Sequence, residues 1–195
     1  MDALPSNQEL LRTCVVTTEP KKVTVLNYIC KVILANEPHY KIVENATGVP
    51  WPVIAAIHFR ESSLNFKTHL HNGDPLTDWT VHVPKGRPKQ GTPPFFWADS
   101  AVDALGGLMI PRVWDLSGCA EFLERYNGLG YRKRELCSPY VWNFTNHYTI
   151  GLFVADGKFD PFKREARPGC ISILKALEQK GVSLDFTRLD TIALH

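Results

Sequence analysis

A glutamate that follows an apolar helix pattern is the residue best suited to acid–base chemistry in this chain. Residues 48–66 read GVPWPVIAAIHFRESSLNF, and the two prolines near the start suit a first helical turn. Glu61 follows Ile57 by four positions, so it is predicted to lie on the apolar stripe of that helix. Desolvation there and the negative end of the helix dipole both predict a raised pKa for Glu61. A general acid requires this bias toward the protonated form.

The segment after this helix is rich in turns and offers a second carboxylate. Residues 64–94 contain an Asn-Gly-Asp-Pro turn, which carries Asp74, and an alternating stretch from Thr80, so we predict a small β-hairpin there. Glycoside cleavage needs a protonated carboxyl group, and an inverting hydrolase needs a second carboxylate roughly 6.5–9.5 Å away. Asp74 is the candidate, Asp78 is its substitute, and Thr80 could position a water. The competing interpretations are a plain turn residue and an ordinary strand residue.

Other polar and aromatic residues could bind a substrate. The run ERYNGLGY ends a predicted helix, so helix termination competes with binding for its tyrosine and asparagine. Most aromatic side chains in a chain of this size are core residues. The substrate-binding candidates are Ser63, Asp78, Tyr126, Asn127 and Tyr148, and further aromatic faces are offered by Trp79, Trp97 and Trp142.

Histidines near Asp74 support a different class of enzyme. His69 and His71 are two residues apart, so on a strand they would face the same side and, with Asp74 and His82, could hold zinc. This pattern makes a zinc cell-wall peptidase an alternative. The sequence has no HExxH or comparable signature to support it.

Three of these motifs together resemble the lysozyme-like superfamily. Residues 48–66 are similar to the helix of soluble lytic transglycosylases and goose-type lysozymes that ends in the catalytic glutamate of a Glu-Ser motif. Tyr126-Asn127-Gly128 resembles the Tyr-Asn-x-Gly segment of their sugar cleft. Asp74 and Thr80 have the Asp-x5-Thr spacing of phage T4-type lysozymes, although Glu61 precedes Asp74 by 13 residues, a longer gap than that family has.

The resemblance implies a peptidoglycan-degrading glycosidase of the phage or prophage endolysin type. Such a muramidase cleaves the β-1,4 bond between N-acetylmuramic acid and N-acetylglucosamine, here with Glu61 as general acid and without a cofactor or metal. The alternative is a lytic transglycosylase in which Glu61 is the sole acid and base and the 6-hydroxyl of the sugar is the nucleophile. A non-catalytic cell-wall sugar-binding module is the non-enzyme alternative.

Helical periodicity dominates the rest of the chain. The predicted helices begin after Pro20 and cover about 38–44, 50–61, 97–105 and 117–126, then begin again at 138, with a last one at 168–180. We therefore expect a mainly α (α+β) fold, a lysozyme-like helical domain with a small β-hairpin after the Glu61 helix. This single domain would cover residues 20–195, and residues 1–19 would form a loosely attached arm.

Composition limits the partners and the location of the protein. The formal net charge is +2, and three basic clusters could attract a polyanionic surface such as a bacterial cell wall. The resemblance implies peptidoglycan strands as the partner, and from the composition we expect no nucleic acid, no membrane span and a monomer. The start of the chain does not have the pattern of a signal peptide, which predicts synthesis in a cytoplasm. The resemblance implies that this is the cytoplasm of a bacterial host and that the protein acts on the wall after release.

The five cysteines favour neither a disulfide framework nor a metal site. They are odd in number, widely spaced and without a CxxC pair, which predicts buried free thiols. Cys119 and His147 would form a thiol protease pair only if the fold brought them together.

Overall fold

The structure is a computed structural model that describes residues 4–155 and 157–186, and it is mainly helical. Strands β1 (Leu152–Ala155) and β2 (Lys158–Asp160) form an antiparallel hairpin, and Arg132–Arg134 is a short 3₁₀ turn. The predicted mainly α class with a small β element is confirmed. Helices α1 to α8 span Asn7–Arg12, Pro20–Ala35, Glu37–Thr47, Trp51–Ser62, Trp97–Leu105, Leu116–Asn127, Pro139–Trp142 and Cys170–Glu178.

The described residues divide into two compact units. The first unit contains residues 4–30, 111–155 and 157–186, and the second contains residues 31–110. The single domain predicted over residues 20–195 stays a prediction. None of the described helices has the combined length and apolarity that crossing a membrane requires.

The first unit includes most of the segment that was expected to be a loose arm. Helix α1 begins with a capping box between Ser6 and Glu9, and Leu10 is buried. Arg132 joins this helix to α6, because its guanidinium donates to the side chain of Asn7 on α1 and to that of Glu124 on α6. Residues 4–19 therefore belong to the first unit, and a buried side chain and hydrogen bonds join them to the rest of it.

Helix α4 belongs to the second unit, and its first two turns are buried on all sides. Every residue from Trp51 to His58 is buried, whereas the sequence pattern predicts only one buried stripe. Helix α3 packs against both α4 and α5. An aromatic cluster joins them, with most ring centroids 4.6 to 5.8 Å apart, and its members are Tyr40, His58, Phe66 and Trp97.

The hairpin predicted within residues 64–94 is wrong in position. That segment is irregular, with one isolated bridge between Thr68 and Pro75, and the hairpin lies at β1 and β2 in the first unit. The reason is a competition for backbone groups. Thr80 exchanges backbone hydrogen bonds with Arg87 and Gly86 at 2.9 Å, which closes a loop instead of a ladder.

Candidate active site

Glu61 lies in the last turn of α4, at the point where the chain reverses sharply. Glu61 is half-buried, whereas every residue from Trp51 to His58 is buried. Ser63 and Leu64 follow with φ of 54° and 64°, a left-handed conformation that costs L-residues roughly 1–2 kcal/mol each. Their amides donate to the carbonyls of Phe59 and His58 at 3.0 and 3.4 Å, so the reversal satisfies the end of the helix. The raised pKa predicted for Glu61 stays a prediction.

A tight turn that precedes Asp74 lies against this helix end. The turn is closed by the amide of Gly73, which donates to the carbonyl of His69 at 2.9 Å. Gly73 has φ of 80°, and a Cβ atom there would lie 3.0 Å from the backbone oxygen of Glu61. Only glycine suits this approach. The structure therefore brings the Asp74 turn next to Glu61 and Ser62.

Asp74 is buried and uses its carboxylate within the loop. It is 6% exposed, and its Oδ2 accepts the amides of Val81 and His82 at 2.8 and 2.9 Å and the side-chain amide of Asn72 at 3.1 Å. Its Oδ1 meets Nδ1 of His82 at 2.6 Å. Burial alone would raise the pKa of Asp74, but the hydrogen bonds from His82 and Val81 outweigh it and hold the pKa at about 2. The carboxylate is therefore charged, and most of its acceptor capacity is occupied.

Thr80 and Asp78 are held in the same loop. Thr80 is 3% exposed, and its hydroxyl donates to the carbonyl of Pro84 and accepts the amide of Arg87 at 3.0 Å. Asp78 is exposed, and its Oδ1 accepts the amide of Trp79 at 2.7 Å. Thr80 thus uses its hydroxyl to close the loop, whereas Asp78 keeps an exposed carboxylate. The catalytic and binding roles of these residues, and of exposed Ser63, stay predictions.

The histidines do not converge on a metal site, which corrects the zinc alternative. His69 bonds Oγ of Ser100 at 2.7 Å and the carbonyl of Asp78 at 2.8 Å, so both of its ring nitrogens are engaged. His71 bonds Asp103 at 2.9 Å, and Asp74 pairs with His82 instead. No group of three potential metal ligands is formed anywhere in residues 4–155 and 157–186.

Asp103 on α5 is a second carboxylate centre that the sequence analysis missed. It accepts from His71, from Nε of Arg87 at 2.7 Å and from the amide of Lys89 at 3.1 Å. Burial would raise the pKa of Asp103, but the hydrogen bonds from Lys89 and His71 and the charge of Arg87 lower it. The sequence does contain a signal for this centre: Ser100 and Asp103 are three residues apart, so on a helix their polar side chains lie on the same face. Asp103 thus fastens the loop of residues 71–89, which contains Asp74, to helix α5.

The remaining candidates belong to the first unit. Tyr126 is half-buried and lies nearly parallel to Tyr140, with ring centroids 6.5 Å apart, and exposed Asn127 donates to Oγ of Ser138 at 3.4 Å. Tyr148 is 8% exposed, and its hydroxyl donates to the carbonyl of Gly151 at 3.1 Å. Sugar-binding roles for Tyr126, Asn127 and Tyr148 stay predictions.

The thiol pair considered from the sequence is not formed. Cys119 is 0% exposed, and burial raises the pKa of its thiol to about 12. His147 directs its Nε2 toward the carbonyl of Leu10 at 2.7 Å instead. Cys119 is therefore a buried, protonated thiol, as the sequence predicts for a structural cysteine.

Comparison with known proteins adds no relative to this description. No protein-family model matches the chain, and neither a curated protein nor a solved structure matches it. The candidate site therefore rests on the second unit's own geometry, in which a half-buried glutamate at a helix end lies beside a loop fastened by two aspartates.

Proposed function

We propose that this protein cleaves the β-1,4 bond between N-acetylmuramic acid and N-acetylglucosamine in peptidoglycan, with Glu61 as the general acid. The observation that carries this proposal is the position of Glu61. It ends a buried helix, it is only partly exposed, and the Gly73 turn lies against its backbone. A carboxyl group in such a place is accessible to a substrate and is less solvated than a surface glutamate, which favours proton donation.

The hydrogen bonds of Asp74 favour a mechanism with one catalytic carboxylate. A general base must have a free lone pair and a pKa near the working pH. Asp74 has a pKa of about 2 and accepts four hydrogen bonds from its own loop. Its negative charge could still stabilise positive charge on a sugar, but it is a weak base. This observation favours the transglycosylase route over an inverting hydrolase.

In the route with one catalytic carboxylate, Glu61 alone carries out all the proton transfers. Glu61 gives its proton to O4 of the leaving N-acetylglucosamine while the bond from C1 of N-acetylmuramic acid to that oxygen breaks. The resulting carboxylate then takes the proton of the 6-hydroxyl, and O6 bonds to C1 to form an anhydro end. Glu61 is protonated again for the next cycle. If water replaces the 6-hydroxyl, the same steps give a reducing end and the protein acts as a muramidase.

Replacement of Glu61 with glutamine tests the assignment. Glu61→Gln keeps the size of the side chain but removes the transferable proton, so we expect release of soluble fragments from purified peptidoglycan to fall by about 100-fold or more. Glu178→Gln is a matched control, because Glu178 also ends a helix but is exposed. Digestion by the Glu61 variant at the wild-type rate would remove Glu61 from the mechanism.

Mass spectrometry of the released fragments separates the remaining possibilities. Anhydro ends indicate transglycosylation, and reducing muramic ends indicate hydrolysis. Cleaved stem peptides would indicate a peptidase and would overturn the proposal. Binding to peptidoglycan with no cleavage by the wild-type protein would indicate a sugar-binding module instead.

A further inference from the structure

Trp79 differs from the other tryptophans of the chain in its exposure. The chain has five tryptophans. Trp51, Trp97, Trp114 and Trp142 are at most 8% exposed, whereas Trp79 is 41% exposed. A single exposed apolar residue is common on protein surfaces and by itself indicates no function. Trp79 is unusual because its exposed ring is also held in place.

The neighbours of Trp79 hold both its ring and its backbone. Phe95, which is mostly buried, meets the indole edge to face with ring centroids 5.9 Å apart. The amide of Trp79 donates to the side chain of Asp78 at 2.7 Å, and the ring of His69 bonds the carbonyl of Asp78 at 2.8 Å. On the other side, the amide of buried Thr80 is hydrogen-bonded within the loop at 2.9 Å. The held backbone and the contact with Phe95 reduce the conformational freedom that the side chain would lose on binding a ligand.

A short run of contacts joins Trp79 to the candidate acid within the second unit. The Gly73 turn lies against the backbone of Glu61, and the next residue, Asp74, accepts the amide of Val81 at 2.8 Å. Trp79 is two residues from Val81, and two residues of chain span at most about 7 Å. The exposed indole therefore belongs to the loop that borders Glu61.

The surroundings of the indole suit an N-acetylated sugar. An aromatic face packs against the C–H face of a pyranose ring, and tryptophan offers the largest such face. The exposed carboxylate of Asp78 lies next to the indole in sequence and can accept hydrogen bonds from sugar hydroxyls. Val81 is 60% exposed in the same loop and offers aliphatic surface to the methyl group of an acetamido substituent.

We propose that Trp79 is a binding platform for an N-acetylhexosamine ring of a glycan strand. The choice of glycan rests on the function proposed for Glu61. Three other aromatic residues considered from the sequence, Trp97, Trp142 and Tyr148, are only 7%, 0% and 8% exposed and offer no comparable face.

Quenching of tryptophan fluorescence by acrylamide tests the proposal directly. Because the other tryptophans are buried, collisions with acrylamide report mainly on Trp79. The experiment uses the full chain with Glu61→Gln, so that the ligand is not cleaved. We expect chitotetraose to reduce quenching and cellotetraose, which lacks acetamido groups, to leave it unchanged.

Calorimetric titration with chitotetraose then measures the contribution of the ring. Trp79→Ala is expected to weaken binding roughly three- to tenfold, the range for loss of one aromatic contact. Trp79→Phe keeps an aromatic face and should retain most of the affinity. Phe96→Ala is a matched control, because Phe96 is another exposed aromatic residue of the same unit, at 79% exposure. Thermal unfolding of each variant establishes that it is folded.

The outcomes are distinct for the platform and for the catalytic proposal. Unchanged quenching with chitotetraose, or wild-type affinity in folded Trp79→Ala, overturns the platform. Equal binding of cellotetraose overturns the preference for N-acetylated sugars, and protection of Trp79 by phosphatidylcholine–phosphatidylglycerol vesicles instead of sugar would assign the ring to a membrane surface. Glu61-dependent digestion without sugar binding at Trp79 leaves the catalytic proposal intact, whereas Trp79-dependent binding without digestion leaves only the platform.

Discussion

Replacement of Asp74 with asparagine separates a structural role of this carboxylate from a catalytic one. Asparagine keeps the shape of the side chain but lacks the charge and one of the two acceptor oxygens. The amides of Val81 and His82 and the ring of His82 bond this carboxylate at 2.6 to 2.9 Å. Hydrogen bonds to a charged acceptor stabilise more than those to a neutral one. We therefore expect Asp74→Asn to destabilise the second unit.

The pKa of Asp74 sets the size and the pH window of that effect. It is about 2 in the folded protein, and an aspartate in an unfolded chain titrates near 3.9. The difference corresponds to a stabilisation on the order of 2 kcal/mol. Solvent screening reduces it to about 1 kcal/mol, because the partner side chain of His82 is 78% exposed. Since the folded pKa is the lower one, this stabilisation is complete above the unfolded value and is lost as the pH falls toward 2.

Chemical denaturation of the wild type and Asp74→Asn measures the effect. The variant should be less stable by about 1 kcal/mol at pH 6.5, and the gap should shrink at pH 2.5. Asp99→Asn, which changes an exposed carboxylate on α5, should alter the stability by no more than about 0.5 kcal/mol. An equal gap at both pH values would refute the electrostatic reasoning. A loss of about 1,000-fold in kcat without a change in stability would show that Asp74 acts in catalysis.

Three further predictions concern the elements around the site. Gly73→Ala should lower the free energy of unfolding by roughly 1 kcal/mol more than Gly86→Ala does. Both glycines have positive φ, but only at position 73 would a Cβ atom lie 3.0 Å from the backbone of Glu61. Equal losses of stability in thermal unfolding would contradict this. Asp103→Asn should increase amide hydrogen exchange in residues 71–89, since that loop is fastened to α5 through this carboxylate, and unchanged protection would argue against the fastening. Burial lowers the pKa of His58 to about 4, so the unfolded chain binds a proton that the folded protein excludes, and stability should fall as the pH is lowered from about 6.5 to about 4. The free energy of unfolding of His58→Gln, measured by denaturation, should change less with pH over that range. A pH dependence as steep as that of the wild type would assign the effect to other groups.

Local patterns were sufficient to predict most of the helices. A helix is closed by hydrogen bonds between residues four apart, and its buried face repeats with the same period, so both signals are present in a short window of sequence. Helix α4 with Glu61 in its last turn follows from such a window. The same window could not reveal that α4 is buried on every side, since that depends on α3 and on the aromatic cluster around His58.

The loop beside Glu61 shows where local patterns fail. Alternation from Thr80 predicts a strand, yet Thr80 closes a loop with Arg87 because its amide, carbonyl and hydroxyl all find partners there. His69 and His71 share the spacing of metal ligands on a strand, but their rings turn to Ser100 and Asp103 on α5, about 30 residues away in the chain. Such pairings depend on which groups meet in three dimensions.

A short window of sequence was sufficient to predict a mainly helical chain with a glutamate at the end of an apolar helix, because the hydrogen bonds and the apolar period of a helix are local. Only the folded structure shows that the loop hydrogen-bonds both oxygens of Asp74, that Asp103 joins that loop to α5, and that Trp79 keeps an exposed face. The partners of Asp74 are two to eight residues away in the chain, whereas those of Asp103 are 14 to 32 residues away. Burial and hydrogen-bond partners are outcomes of packing, and the spacing of polar residues along a helix does not identify them.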